Sequence, residues 1–252
     1  NALHLVYEIT NRGSIDIDFS VEREFTQDEL QIMPGWLDYI LNRTFREENL
    51  KVFDVRFIEK PKSGCIPEWR GYLLEFKVID KEKFNDFQGD VDSIRRNAIK
   101  LNNQSPKYEV EISAYEYVEG ATTRELDGVI LRVYTLEMIL FEKIRALCQT
   151  MPEYSEIVKS ARPKHRARDI YDIFIIFNSG TLNLDKDMLI EIFKAKQVPL
   201  EFINRMENLR EHNRENWEMV RSSISESDRN NLQDYDYYFD QLLKISEPFK
   251  TL

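Results

Sequence analysis

The feature that most constrains this chain is a short segment in which two aspartates alternate with apolar residues. Ile15, Ile17 and Phe19 fall on one side of an extended backbone, whereas Asp16 and Asp18 fall on the other. A period of two predicts a β-strand with one apolar and one polar face. The chain is therefore expected to contain a sheet to which this strand belongs.

The two aspartates are also the first candidates for chemistry. Side chains two residues apart on one face of a strand lie about 7 Å apart, and two carboxylates that close repel each other unless a cation lies between them. Mg²⁺ prefers one or two carboxylates together with substrate phosphates, and two such ions can bind the attacking and leaving oxygens of phosphoryl transfer. The alternative is an edge strand with a solvated acidic face. The flanking residues favour a metal site, because aspartate is depleted in strands.

The remaining pattern predicts an α/β (α+β) fold, with a mixed, twisted sheet, flanking helices and a helical bundle after them. Thr26 and Glu29 fit a capping box, which predicts a helix to about residue 48. Further strands are predicted at 51–59, 71–79, 108–113 and 129–134, and helices at 81–103, 135–149, 169–178 and, in three pieces, from 185 onwards. The composition changes near residue 180, so we predict an α/β domain at 1–178 and a C-terminal helical domain at 179–252.

Charge and cysteine content restrict the class of protein. The net charge of −10 argues against a general, sequence-blind nucleic-acid binder, although it leaves room for a local basic strip. The two cysteines, Cys65 and Cys148, are far apart in sequence and favour a reducing cytosol. No apolar run approaches the roughly 18 residues of a membrane span. We therefore expect a cytoplasmic protein that does not act in a membrane.

Two further segments carry charged residues within a predicted strand and a predicted helix. Glu109 and Glu111 share one face of the predicted strand at 108–113, so a neighbouring strand could add a third carboxylate to a metal site, or the face is simply solvated. Lys143 lies four residues from both Ile139 and Leu147, within the apolar stripe of the predicted helix at 135–149. A lysine there either extends its ammonium to solvent or meets a buried anion such as a triphosphate.

A basic run precedes the next helix and ends at Asp169. Its members are Arg162, Lys164, His165, Arg166 and Arg168. A helix N-terminus favours anions, so the run is a candidate strip for the phosphates of a nucleotide or an RNA. The alternatives are solvated charge for the run and simple helix capping for Asp169.

These four segments, in this order, resemble the AbiEii/AbiGii-type toxin family of nucleotidyltransferases, which is part of the polymerase-β-like nucleotidyltransferase superfamily. The residues at 14–19 match the family's Ser-x-Asp-Ile-Asp-Phe/Leu strand, and those at 110–113 match its Lys-x-Glu-Ile-Ser-like strand. The helix at 136–147 matches the family's Leu-Glu-Glu-Ile-x-Ala-Glu-Lys-Leu-x-Ala-Leu pattern, and residues 168–173 match its Arg-Asp-Leu-Tyr-Asp-Leu pattern. The resemblance covers residues 1 to about 178.

The resemblance implies a role for each matching residue. Asp16 and Asp18 would bind Mg²⁺, with Glu111 as a third acidic group. Lys143 would contact the triphosphate of the NTP, and Asp169 would be an essential acid that orients Lys143 or an arginine. The resemblance also implies Ser14 beside the phosphates, and the basic run adds Lys164, Arg166 and Arg168 as substrate-binding candidates.

The implied reaction is Mg²⁺-dependent transfer of a nucleoside monophosphate from an NTP to an acceptor hydroxyl. The resemblance implies that the acceptor is the 3′ end of a tRNA or a protein hydroxyl. It also implies that the protein is the toxin of a toxin–antitoxin or phage-defence (abortive infection) system with a separate antitoxin partner. Two alternatives stay open: transfer to a small molecule such as an antibiotic, and a catalytically inactive relative that acts as a binding module.

Overall fold

A computed structural model describes residues 2–12, 17–61, 66–101, 104–159 and 161–250. These residues form two compact units. One unit comprises 17–61 and 70–114, and the other comprises 2–12, 66–69 and 115–250, each within the described stretches. We call them the sheet unit and the helical unit.

The elements follow each other along the chain as α/β segments and then as helices. The strands are β1 Ile17–Ser20, β2 Leu50–Lys60, β3 Gly71–Asp80, β4 Tyr108–Ser113, β5 Thr122–Leu126 and β6 Val129–Val133. The α-helices are α1 Ala2–Leu5, α2 Gln27–Phe45, α3 Lys81–Asp86, α4 Val91–Arg96, α5 Leu136–Cys148, α6 Tyr154–Ile157, α7 Ala167–Asn178, α8 Lys186–Ala195, α9 Arg210–Arg214, α10 Trp217–Ser223, α11 Glu226–Arg229 and α12 Tyr235–Ser246. Three-residue 3₁₀ segments lie at Arg46–Glu48, Pro67–Trp69 and Glu247–Phe249, and a ten-residue one lies at Leu200–Leu209.

The sheet unit is built on a mixed four-stranded sheet in the order β1-β4-β3-β2, as far as its strands are described. β1 runs parallel to β4, whereas β4–β3 and β3–β2 are antiparallel. α2 packs against this sheet through Leu37, Leu41 and Phe45, which meet a core that includes Val52 and Phe76. The predicted mixed α/β fold is confirmed.

The capping box that starts α2 is confirmed as well. The Thr26 hydroxyl accepts a hydrogen bond from the backbone N–H of Glu29, and the Glu29 carboxylate accepts one from the backbone N–H of Thr26. The predicted helix at 81–103, in contrast, is wrong as a single helix. α3 ends at Asp86, and Gln88 and Gly89 after it have positive φ angles of 47° and 90°. The Asp90 carboxylate then caps a new helix, α4.

The helical unit has its core between α5 and α7. α8 packs on α5, and α10 and α12 pack on α7, so helices from both sides of residue 178 share one core. The domain boundary predicted at 178/179 stays a prediction. The C-terminal chain is divided into more pieces than the three helices predicted, with a 3₁₀ segment after Pro199 and short helices before α12. No helix in the described stretches has both the length and the apolar character that crossing a membrane requires.

Candidate active site

The acidic strand predicted from the alternation has an acidic neighbour. β1 and β4 are paired in parallel, and Asp18 is the register partner of Glu111. Register partners project from the same face of neighbouring strands, which lie about 5 Å apart. Both side chains are exposed. The sheet unit therefore presents two carboxylates side by side on an accessible face.

The donor chemistry of this face fits a hard divalent cation. Carboxylate oxygens are the ligands that Mg²⁺ takes from proteins, and it usually takes one or two together with substrate oxygens and water. Asp16 and Ser14 lie outside the described residues. Within the described ranges no group of three or more His, Cys, Asp or Glu side chains has the arrangement of a metal site. The two described carboxylates are thus a partial ligand set, and the metal assignment stays a prediction.

Lys143 lies largely buried in the helical unit. Its ammonium lies 2.7 Å from Asp169 Oδ1 and 2.8 Å from Asp172 Oδ2. The lysine side chain is 19% exposed and that of Asp172 only 1%. The ammonium therefore meets buried anions instead of extending to solvent, which was the alternative for a lysine within the apolar stripe of α5.

Two arginines complete this ionic cluster. Arg12 donates to both oxygens of Asp172, from Nε at 3.2 Å and from a terminal nitrogen at 2.6 Å. Arg166 donates to Asp169 Oδ2 at 2.8 Å. We call these five residues the Lys143 cluster. It holds three cations (Lys143, Arg12 and Arg166) and two carboxylates (Asp169 and Asp172), so its net charge is +1. A buried cluster with an excess positive charge is a suitable partner for a phosphate group.

The packing of α7 explains how the cluster is assembled. Ile170, Ile173 and Ile176 are fully buried and fix one face of α7 in the core. Asp169 and Asp172, three residues apart, share another face of the helix, and both contact Lys143 on α5. The alternative of Asp169 as the helix cap is wrong, because α7 begins at Ala167 with Arg166 at the cap position.

The electrostatics of the cluster reinforce the ionised forms of its members. Burial disfavours the ammonium of Lys143, but Asp169 and Asp172 outweigh that effect, so that the pKa of Lys143 is raised. Burial alone would raise the pKa of Asp169, but Lys143 and then Arg166 lower it to about 2. Lys143 is therefore a fixed positive charge at neutral pH.

The basic run lies on the loop that leads into α7, and its members have different environments. Arg162, Lys164 and His165 are exposed, whereas Arg166 and Arg168 are half-buried. The loop is anchored to α9: Arg166 donates its backbone N–H to Asn213 Oδ1 at 2.6 Å, and the His165 ring stacks on that of His212 at 4.4 Å. Arg166 belongs to the Lys143 cluster, so Arg162, Lys164 and Arg168 are the charges that remain for a substrate.

Arg12 and Asp172 were not among the residues predicted for the site. Both stand inside or beside the segments that suggested it: Arg12 lies four residues before Asp16, and Asp172 lies three residues after Asp169. The i, i+3 spacing of the two aspartates was the available signal, since it puts both carboxylates on one side of a helix. Nothing local indicated Arg12, because its partner is 160 residues away.

A family comparison decides the identity of the fold and its chemistry. The model of the family described as nucleotidyl transferase AbiEii toxin, type IV toxin–antitoxin system, matches residues 1–244. The chain belongs to this family. The AbiEii match runs beyond residue 178 and includes most of the C-terminal helices. No curated protein matches the chain.

Membership of the AbiEii family confirms the predicted enzyme class, a nucleotidyltransferase, and the predicted biological role as the toxin of a toxin–antitoxin system, here of type IV. It also implies a nucleotide substrate and an antitoxin partner. The roles of the individual residues stay predictions. The structure places Asp18 and Glu111 together in the sheet unit, and Lys143, Lys164, Arg166, Arg168 and Asp169 in the helical unit.

Proposed function

We propose that this AbiEii-family enzyme transfers a nucleoside monophosphate from an NTP to a hydroxyl of RNA, with Mg²⁺ bound by Asp16, Asp18 and Glu111. The observation that carries this proposal is the register pairing of Asp18 with Glu111, which puts two carboxylates on one exposed face of the sheet. When bound there, Mg²⁺ supplies positive charge to phosphate oxygens during the displacement.

The reaction is a single displacement at phosphorus. The acceptor oxygen forms a bond to the α-phosphorus, and the bond from that phosphorus to the bridging oxygen breaks. Pyrophosphate leaves with the electron pair, and the proton of the acceptor hydroxyl passes to water. No covalent enzyme intermediate is required, so the chain contributes positioning and charge.

Lys143 binds triphosphate oxygens in this proposal. Its ammonium is oriented by Asp169 and Asp172, and the cluster retains one positive charge after internal pairing. The carboxylates remove the rotamer freedom of the lysine, so that less entropy is lost when a phosphate arrives. Ser14 lies outside the described residues, and its place beside the phosphates stays part of the proposal.

The acceptor is proposed to be RNA, with the 3′ end of tRNA as the specific candidate. Exposed Arg162 and Lys164, with half-buried Arg168, provide cations in a protein whose net charge is −10. Local basic groups on an acidic protein are typical of a site that selects a particular nucleic acid over nucleic acid in general. A cytosolic location and an antitoxin that opposes the enzyme belong to the same proposal.

The decisive experiment incubates the protein with each labelled NTP, Mg²⁺ and total RNA, and compares it with Asp18→Asn. Asp92→Asn is the matched control, since it makes the same change at an exposed aspartate of α4. We expect labelled RNA of tRNA size with the parent and the control, and none with Asp18→Asn. Label on a protein or a small molecule would show that the acceptor is not RNA. Equal labelling of RNA by Asp18→Asn and the parent would refute the metal site.

A further inference from the structure

The outer face of α2 carries an exposed stripe with rings at one end and cations at the other. Ile32, Trp36 and Tyr39 are 67%, 57% and 62% exposed. Arg43, in the last turn of α2, and Arg46, which caps the helix with helical dihedral angles and begins the next 3₁₀ segment, are exposed as well. Their spacing of 4, 3, 4 and 3 residues puts all five within an arc of about 80° and along about 21 Å of helix axis. We call these five residues the α2 stripe.

The stripe is not part of the packing that folds the sheet unit. Leu37, Leu41 and Phe45, on the opposite side of α2, pack against the core of the sheet. α2 is therefore apolar on two opposite faces, of which the sheet covers one. The exposed tryptophan and tyrosine on the other face do not add to the stability of the fold, because water still surrounds their rings. Exposed apolar patches of this kind are typical of binding surfaces.

The charges of the stripe indicate an anionic partner. Among the described residues, no carboxylate forms an ion pair with Arg43 or Arg46, although about half of the arginines of this acidic chain have one. Asp28 lies one turn before Ile32 and Glu47 directly follows Arg46, whereas Asp38, beside Tyr39 in sequence, points away from the stripe by about 100° of helix rotation. The two arginines are thus available to phosphates along its C-terminal half.

We propose that the α2 stripe binds a single strand of RNA, with bases stacked on Trp36 and Tyr39 and phosphates on Arg43 and Arg46. Aromatic rings beside cations are the chemistry that binds single-stranded nucleic acid without reading sequence. A helical anchor for a protein would use the same rings, but it would not require unpaired arginines in line with them. The inference rests on the proposed function in one respect only, the choice of RNA as the nucleic acid.

The test measures equilibrium binding of fluorescein-labelled oligouridylate to the full chain by fluorescence anisotropy, without NTP. Trp36→Leu keeps an apolar side chain and removes the stacking surface, so we expect roughly tenfold weaker binding. Trp36→Phe keeps a ring and should stay within about threefold of the parent. Arg43→Gln should reduce the slope of log K against log salt by about 0.7, the value for one lost phosphate contact with a single strand.

Two controls match these changes elsewhere on the surface. Ile130→Ala removes an exposed apolar side chain from β6, and Arg221→Gln removes an exposed arginine from α10. Both should bind oligouridylate like the parent. The proposal is overturned if the parent does not bind oligouridylate at low salt, or if Trp36→Leu and Arg43→Gln bind it as the parent does. It is also overturned if light scattering shows that Trp36→Leu converts an oligomer to a monomer, because the stripe would then bind a second copy.

Nucleotide transfer, measured separately on the same variants, distinguishes this inference from the proposed function. Trp36→Leu should raise the KM for RNA and leave kcat near that of the parent, because the stripe binds the acceptor away from the reacting atoms. Unchanged KM for RNA in Trp36→Leu, together with transfer that depends on Asp18, would refute the α2 stripe and leave the proposed reaction intact.

Discussion

Replacing Asp172 with asparagine removes one negative charge from the Lys143 cluster and keeps the size of the side chain. The carboxylate is 1% exposed and accepts three hydrogen bonds or ion pairs, two from Arg12 and one from Lys143. Without it the cluster holds three cations and one carboxylate, so its net charge rises from +1 to +2. Arg12, which is 12% exposed, would lose its partner while remaining buried.

The expected loss of stability follows from that unpaired charge. Removing one partner of a buried ion pair typically costs about 3–5 kcal/mol. A chain of this size loses about 2–4 °C of Tm for each kcal/mol, so Asp172→Asn should lower the Tm by roughly 6–20 °C. Urea unfolding, with the free energy extrapolated to water, measures the same loss directly. Asp127→Asn makes the same chemical change at an exposed position and should leave the Tm nearly unchanged.

A double variant tests whether charge is the cause. Arg12→Gln combined with Asp172→Asn returns the cluster to two cations and one carboxylate, which restores the net charge of +1. We expect the double variant to be more stable than the sum of the two single losses predicts, by about 0.5–3 kcal/mol. Strict additivity would show that Arg12 and Asp172 are not coupled, and a wild-type Tm for Asp172→Asn alone would refute the whole account of the cluster.

Three further predictions follow from the same structure. The pKa of Asp169 is lowered to about 2 from its ordinary 3.8. Its carboxylate therefore adds about 2 kcal/mol to the free energy of unfolding above pH 3.8, and this stabilisation is lost as the pH falls towards 2. Acid unfolding of Asp169→Asn should lack that loss. Burial, which Arg145 only partly offsets, raises the pKa of Glu142 from 4.5 to about 7. The free energy of unfolding should therefore fall as the pH rises from 4.5 to 7. Urea unfolding of Glu142→Gln at several pH values should show no such fall. Glu111→Gln should weaken Mg²⁺-dependent NTP affinity in calorimetry without lowering Tm, because its side chain is exposed; unchanged affinity would exclude it as a ligand.

The sequence predicted a structural feature correctly where the residues that determine it are close together in the chain. The capping box of α2, the break near residue 199 and the strand at 108–113 are examples. β5 was missed because Thr123, Arg124 and Glu125 are all exposed, so neither of its faces produces an apolar alternation. The break between α3 and α4 had a visible signal, Gly89 followed by Asp90, but the charged, amphipathic character of the segment favoured one continuous helix.

The α2 stripe escaped prediction for a related reason. A helix with one apolar face has a clear period of 3.6 residues, whereas apolar side chains on two opposite faces weaken that period. Sequence alone does not say which of the two faces the sheet covers. The packing of Leu37 and Leu41 on the sheet decides it, and only then do Trp36 and Tyr39 stand out as surface rings.

The link between Arg12 and Asp172 was beyond any local pattern, and it changes how the site is understood. Asp16 and Lys143 were predicted as separate contributions, a metal ligand on a strand and a phosphate ligand on a helix. Arg12 stands four residues before Asp16 in the chain, and its side chain is bound by the carboxylate that also binds Lys143. The Lys143 cluster therefore binds Arg12, a residue from the start of the helical unit, as well as Lys143. Loss of Asp172 should consequently leave Arg12 without its carboxylate and Lys143 with one, whereas loss of Asp169 should weaken the hold on Lys143 and Arg166.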